Sequence, residues 1–258
     1  MKTPIKLPAR EFKSLSVIKS LIPAGSYVHS FLLYNAGIEI PLSSDGRYVI
    51  AHTNKYTIYE FWTCLSMNSN QVQRVAEHFD NIGDKNIFYL LQETLPDYPD
   101  PFLRAGIFFL LNKYSKSGYV SRGEFDPESH NPLSMANLKK VSFENFMVTH
   151  HQTDDIVKIM EDISVRCDYI FVPIGDFSLN FLKNKESEIN SLSYDQSFLG
   201  SEEIKNFMET TDRKVVLLYH YSKSVDSFFD KQKKYFVDDW GRVTNDTSRA
   251  KEVLIANF

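Results

Sequence analysis

The 258-residue sequence predicts an α/β domain around a mostly parallel β-sheet, and two patterns carry that expectation. Short apolar runs rich in β-branched and aromatic residues, at 48–51, 169–172, 215–219 and 252–255, have the composition of strands buried on both faces. Helical periodicity fills the intervals, at 11–22, 54–66, 70–80, 100–114, 153–164 and 201–210. Strands and helices that alternate in this way form parallel sheets whose ligands lie beyond the carboxyl ends of the strands.

Local chemistry explains several boundaries. Thr153 followed by Asp154 and Asp155 reads as a helix N-cap with acids in the first turn, where they meet the positive end of the helix dipole, and Ser201-Glu202-Glu203 reads the same way. Pro96, Pro99 and Pro101 remove backbone donors within six residues, so no helix continues through them. They mark the start of a helical lobe, expected at 96–140, inserted into a core made of 1–95 and 141–258. No repeat or low-complexity tract is present.

With 43% hydrophobic residues the chain can bury a sizeable core. A net charge of −4 and a pI near 6.0 exclude a surface devoted wholly to nucleic acid. Any basic surface is local: within 104–140, six cations face three acids, a surplus of +3. Met1-Lys2-Thr3-Pro4 has no apolar run behind it and no segment reaches a membrane span of about 18 apolar residues, so a soluble, cytoplasmic protein with no membrane partner is expected. Two cysteines, Cys64 and Cys167, are too few for a disulfide framework or a zinc site and read as buried thiols. His150, His151, Asp154 and Asp155 carry metal-ligand chemistry, but the histidines precede the helix cap, where helical spacing does not apply, and no metal is expected. Lys231-Gln232-Lys233-Lys234 reads as a solvated helix end before a strand.

The inserted lobe carries Arg104-Ala105-Gly106-Ile107-Phe108-Phe109-Leu110-Leu111-Asn112-Lys113-Tyr114, then Ser117-Gly118, then Arg122-Gly123-Glu124-Phe125-Asp126. This run resembles, in order and spacing, the DNA-recognition lobe of the Dam-like, D12-class DNA adenine-N6 methyltransferases. The stretch 18–28 resembles the family's first helix and strand, and Tyr194-Asp195 and the strands at 215–219 and 252–255 resemble its C-terminal half. The resemblance implies a Rossmann-like methyltransferase core with a helical DNA-recognition-type insertion. It also implies Arg104, Lys113, Lys116 and Arg122 as DNA-contacting cations.

Against that pattern, the chemical motifs are altered. Where the family carries a strand followed by D-P-P-Y, this chain reads Pro173-Ile174-Gly175-Asp176, or Val172-Pro173-Ile174-Gly175 one register back, and neither has the leading acid or the aromatic that stacks on an extruded base. The family's E-P-F-x-G-G-G turn reads His29-Ser30-Phe31-Leu32-Leu33-Tyr34-Asn35-Ala36-Gly37, with the side chains of Leu33 and Tyr34 where glycines let the backbone approach S-adenosylmethionine. The acid that ends the next strand is replaced in Ala51-His52-Thr53-Asn54, and a neutral imidazole cannot offer two acceptor oxygens to a ribose diol. The resemblance implies Phe31, His52, Asn54 and either Asp155 or Asp154 as vestiges of a cofactor site. The expectation is a catalytically inactive, methyltransferase-like accessory factor, viral in origin by the family's habit of travelling in phages, and located in the host cytoplasm or the virion. It would bind no cofactor and would dock on DNA or a protein partner, alone or as part of an oligomer. The alternatives are a divergent, active S-adenosylmethionine-dependent methyltransferase, and an assembly protein that touches no nucleic acid.

Overall fold

The structure is a computed structural model that describes residues 3–6, 11–79, 84–129, 133–177, 194–195, 197 and 199–258. Seven strands form one sheet: β1 (Tyr27–Ser30), β2 (Tyr48–Thr53), β3 (Phe146–His150), β4 (Tyr169–Gly175), β5 (Lys214–His220), β6 (Lys233–Val237) and β7 (Glu252–Ala256). Their order is β3-β2-β1-β4-β5-β7-β6, parallel from β3 to β5, with β7 antiparallel to both β5 and β6. This mixed, mostly parallel sheet is consistent with a Rossmann-like methyltransferase core. Chain order reverses between β1 and β4, and ligand crevices of open α/β sheets form at such a switch point.

Period-two alternation distributes the core over both faces. Val215, Leu217 and Tyr219 of β5 join Ile170 and Val172 of β4 on one face, while Val216 and Leu218 join Tyr169 and Phe171 on the other. The first face is covered by α7 (Ile156–Glu161), α8 (Ser201–Thr210) and α9 (Lys223–Phe228). Helices α1 (Leu15–Leu21) and α2 (Glu39–Ser43) cover the second, and α3 (Tyr56–His78) continues that layer over β2 and β3. The helical segment adds α4 (Lys85–Thr94), α5 (Pro101–Tyr114) and α6 (Leu133–Leu138). Asp100 caps α5 by accepting from the Phe102 and Leu103 N–H groups at 2.8 and 3.3 Å, and Pro101 occupies the first turn, where its missing donor is harmless. Gly106 lets α5 lie directly on α3, since a Cβ there would stand 2.4 Å from Val75 Cγ1.

Several expectations change. The helices at 54–66 and 70–80 are one element with a break at Asn68 (φ −158°, ψ 83°), whose side chain accepts from the Gln71 N–H at 3.1 Å and so starts the second half. Asp155, not Thr153, caps α7, accepting from the Lys158 N–H at 2.9 Å; Thr153 Oγ1 instead accepts from the Asp155 N–H at 3.1 Å. Gly200 precedes α8 and Ser201 is its first residue, with no side-chain cap. Lys233 and Lys234 lie in β6 rather than at a helix end, and Lys234 Nζ reaches Asp226 at 2.6 Å. Strand β3 was hidden because the polar Thr149 and His150 interrupt its apolar pattern. Cys64 is buried, whereas Cys167 is half-buried; burial pushes both thiols up to about 11.

Candidate functional site

The turn after β1 takes a glycine-like backbone at two residues that are not glycines. Leu32 and Ala36 take φ values of 59° and 53°, a left-handed conformation that costs an L-residue about 1–2 kcal/mol. Its bulk is turned inward. Leu33 is buried, the Tyr34 carbonyl accepts from Trp62 Nε1 at 2.7 Å, and the Tyr34 hydroxyl lies 3.0 Å from both the Asp195 carboxylate and the Gly118 carbonyl. Burial and the neighbouring Asp195 hold this phenol far above its ordinary pKa. Asp195 also accepts from the Val120 N–H at 2.8 Å and from the Ser121 hydroxyl, so one buried carboxylate ties the turn to the helical segment.

Beside the turn, three histidines form a continuous chain across the sheet. His29 Nε2 lies 3.0 Å from the Arg166 carbonyl, His29 Nδ1 2.9 Å from His52 Nε2, and His52 Nδ1 2.8 Å from His151 Nε2. Phe31 stacks on His52 with ring centroids 4.5 Å apart. Burial first, then the adjacent His29 and His151, bring His52 down to about 3; burial also lowers the other two. All three are neutral near pH 7.

At the end of β4, Gly175 has φ 86°, and the register with β5 shifts between Pro173 and Gly175. Asp176 is exposed, and Phe177 packs on Tyr219 and Phe228, at centroid distances of 6.0 and 5.3 Å. Asn54 Nδ2 donates to Asp154 at 2.6 Å and its carbonyl oxygen accepts from Ser197. The neighbouring Asp155 is engaged as the cap of α7. Two hollows meet these residues. One of about 210 Å³ lies between Phe12, Leu32, Asn35 and Pro173, and one of only about 10 Å³ lies between Phe31, His52, Asn54 and Ile156. No group of three or more His, Cys, Asp or Glu able to hold a metal ion occurs among the described residues.

No family model matches the sequence. Over 127 residues, the chain is 29% identical to the DNA adenine methylase of Salmonella typhi. The DNA adenine methylase of Salmonella typhimurium gives the same identity. The matched stretch is 47% of this chain, and the chain spans about half the length of these relatives, 45%. The chain is a distant homologue of DNA adenine methylases.

The four cations singled out for DNA contact have different surroundings. Arg104 Nε donates to Glu60 at 2.6 Å, and its other nitrogens donate to the same carboxylate and to the Tyr98 carbonyl. Lys113 is buried, with its ammonium over the Phe109 ring; burial, with Lys6 adding to it, brings its pKa down to about 8. Lys116 and Arg122 are exposed on the loop that leaves α5, closed by a bridge between Ser115 and Phe125. Asn112, buried at the end of α5, shapes that loop by donating to the Gly118 carbonyl at 2.6 Å. Sequence reasoning missed the histidine chain, the staple at Asp195 and this role of Asn112. Among the described residues, no helix is long and apolar enough to cross a membrane.

Proposed function

We propose that this protein is a methyltransferase-like accessory factor that transfers no methyl group and docks on DNA through the loop bearing Lys116 and Arg122. The carrying observation is the space left at the strand ends: the Phe31–His52 stack and the Asn54–Asp154 and Asn54–Ser197 bonds leave about 10 Å³ beyond β1 and β2, and the hollow between the β1 turn and Pro173 holds about 210 Å³. Sites for small molecules run from about 300 Å³ upward. The residues present do not fit S-adenosylmethionine. The β1–β2 end offers imidazole where a carboxylate would hold a ribose, and Leu33 and Tyr34 are locked into the packing of α3 and the loop at 118–121. The β4 end supplies no side-chain acceptor for an amino group at Pro173 or Ile174, and its one acid, Asp176, is exposed.

DNA docking is supported by the distant similarity to DNA adenine methylases and by the two exposed cations at one loop. Of the residues proposed for that contact, Lys116 and Arg122 lead; Arg104 and Lys113 carry structural work inside the fold. The enzymatic reading is favoured by the names of the relatives alone. Transfer of labelled methyl from S-adenosylmethionine to duplex DNA tests the proposal. Background incorporation is the expected result, and turnover lost on Asp176→Ala would overturn it.

A further inference from the structure

We propose that the groove over β1, β2 and β3, on the α7 side of the sheet, binds a neutral, flat aromatic or heteroaromatic molecule through an N–H or O–H donor given to His151 Nδ1. The groove is separate from the turn after β1 and does not depend on the functional reading above. Its volume is about 550 Å³, within the roughly 300–1,000 Å³ of small-molecule sites. Alternation creates it. Where β4 and β5 send Ile170, Val172 and Leu217 to this face, the outer strands send His29, His52, Thr149 and His151, and α7 packs toward α8 instead of covering them. Ile50, Met147, Ile159, Ile163 and Val165 supply flat apolar walls.

The direction of the histidine chain follows from its anchor. A carbonyl only accepts, so His29 Nε2 carries the proton toward Arg166 and a neutral His29 Nδ1 must accept. His52 Nε2 therefore donates, leaving His52 Nδ1 to accept in turn from His151 Nε2. That leaves one lone pair, on Nδ1 of His151, a residue that lines the groove. Burial of His52 keeps the chain uncharged at neutral pH. The rings do not form a metal site, because His52 turns opposite nitrogens to its two neighbours and no point is shared by three. At the rim Lys158 and Asp162 cancel in charge, which favours a neutral ligand over an ionic one. An apolar slot ending in a single fixed acceptor thus selects a flat ring with one donor.

Indole and 1-methylindole, which share a shape and differ in the donor, test this on the whole chain by NMR titration. Indole is expected to bind roughly fivefold more tightly, the ratio one net hydrogen bond carries. His151→Ala should bring the two ligands together in affinity, and Ile50→Trp should weaken both by filling the slot. Nitrogen-15 shifts of the free protein should show His151 Nδ1 unprotonated. Equal affinity of the two ligands for the unmodified protein, no indole binding at millimolar concentration, or a protonated His151 Nδ1 would overturn the proposal. Self-association through this face, relieved by Ile50→Trp without indole binding, would do the same in favour of a second copy of the chain.

Discussion

Arg104→Ala asks whether this arginine braces the helical segment or serves DNA. Its guanidinium meets both oxygens of Glu60 and the Tyr98 carbonyl, joining α5 to α3 and to the turn before α5. The side chains are 15% and 5% exposed, so truncating the arginine leaves a nearly dry carboxylate without its partner. Breaking a fully buried pair costs about 3–5 kcal/mol; the residual solvent at Arg104 lowers that to about 2–3 kcal/mol. That is a large fraction of the roughly 5–15 kcal/mol that holds a domain folded. Urea unfolding reads it as a shift in midpoint at constant slope. Because replacing both charges by apolar groups removes the stranded ion, Arg104→Met with Glu60→Leu should return to within about 1 kcal/mol of the parent. A loss below about 0.5 kcal/mol in Arg104→Ala, of the size seen at ordinary surface sites, with DNA affinity reduced, would refute the brace and assign the residue to nucleic acid.

Further outcomes follow from the same geometry. His52 is held neutral at about 3 when folded and titrates near 6.5 when unfolded, so its contribution is complete above about pH 6.5 and is lost as pH falls toward 3, at up to about 1.4 kcal/mol per unit. Urea midpoints from pH 7 to pH 5 should drop accordingly, and His52→Leu should flatten the slope. Replacing Lys116 and Arg122 together with Ala should weaken DNA binding and lower the salt dependence by about 0.9 for each phosphate left without its cation, with circular dichroism unchanged; an unaltered affinity would point to a protein partner. Gly106→Ala, which favours a free helix by about 1 kcal/mol, should destabilise by about 1–3 kcal/mol because of Val75, and Val75→Ala should rescue it. Restoring D-P-P-Y at 173–176 should not by itself create activity, since the hollow at the β1 turn holds only about 210 Å³ and His52 still replaces the acid; methyl transfer by that variant would show otherwise.

Much of the sheet was legible because β4, β5 and β7 are buried on both faces and read as unbroken apolar runs. The edge strands were legible only in part. β3 exposes Met147 and carries Thr149 and His150, which hides it, while β6 opens on two lysines, so only its second half, from Tyr235, reads as a strand. Within the site, single residues were readable but partnerships were not. His29, His52 and His151 stand 23 and 99 positions apart and meet only because β1, β2 and β3 are neighbours. Tyr34 and Asp195 are 161 positions apart, and no local pattern joins them. Arg104 and Lys113 illustrate the opposite difficulty. Charge and motif position suggest a surface, while Glu60, 44 residues earlier, and the Phe109 ring turn both inward.

Equilibrium titration of the protein with S-adenosylmethionine, by calorimetry at neutral pH, tests the non-catalytic reading most directly. With the β1–β2 crevice reduced to about 10 Å³ and Phe31 stacked on His52, no saturable heat is predicted at micromolar to millimolar ligand. Saturable micromolar binding, abolished by a bulky replacement at Ala36 in the β1 turn, would contradict it and return the protein to the enzymes.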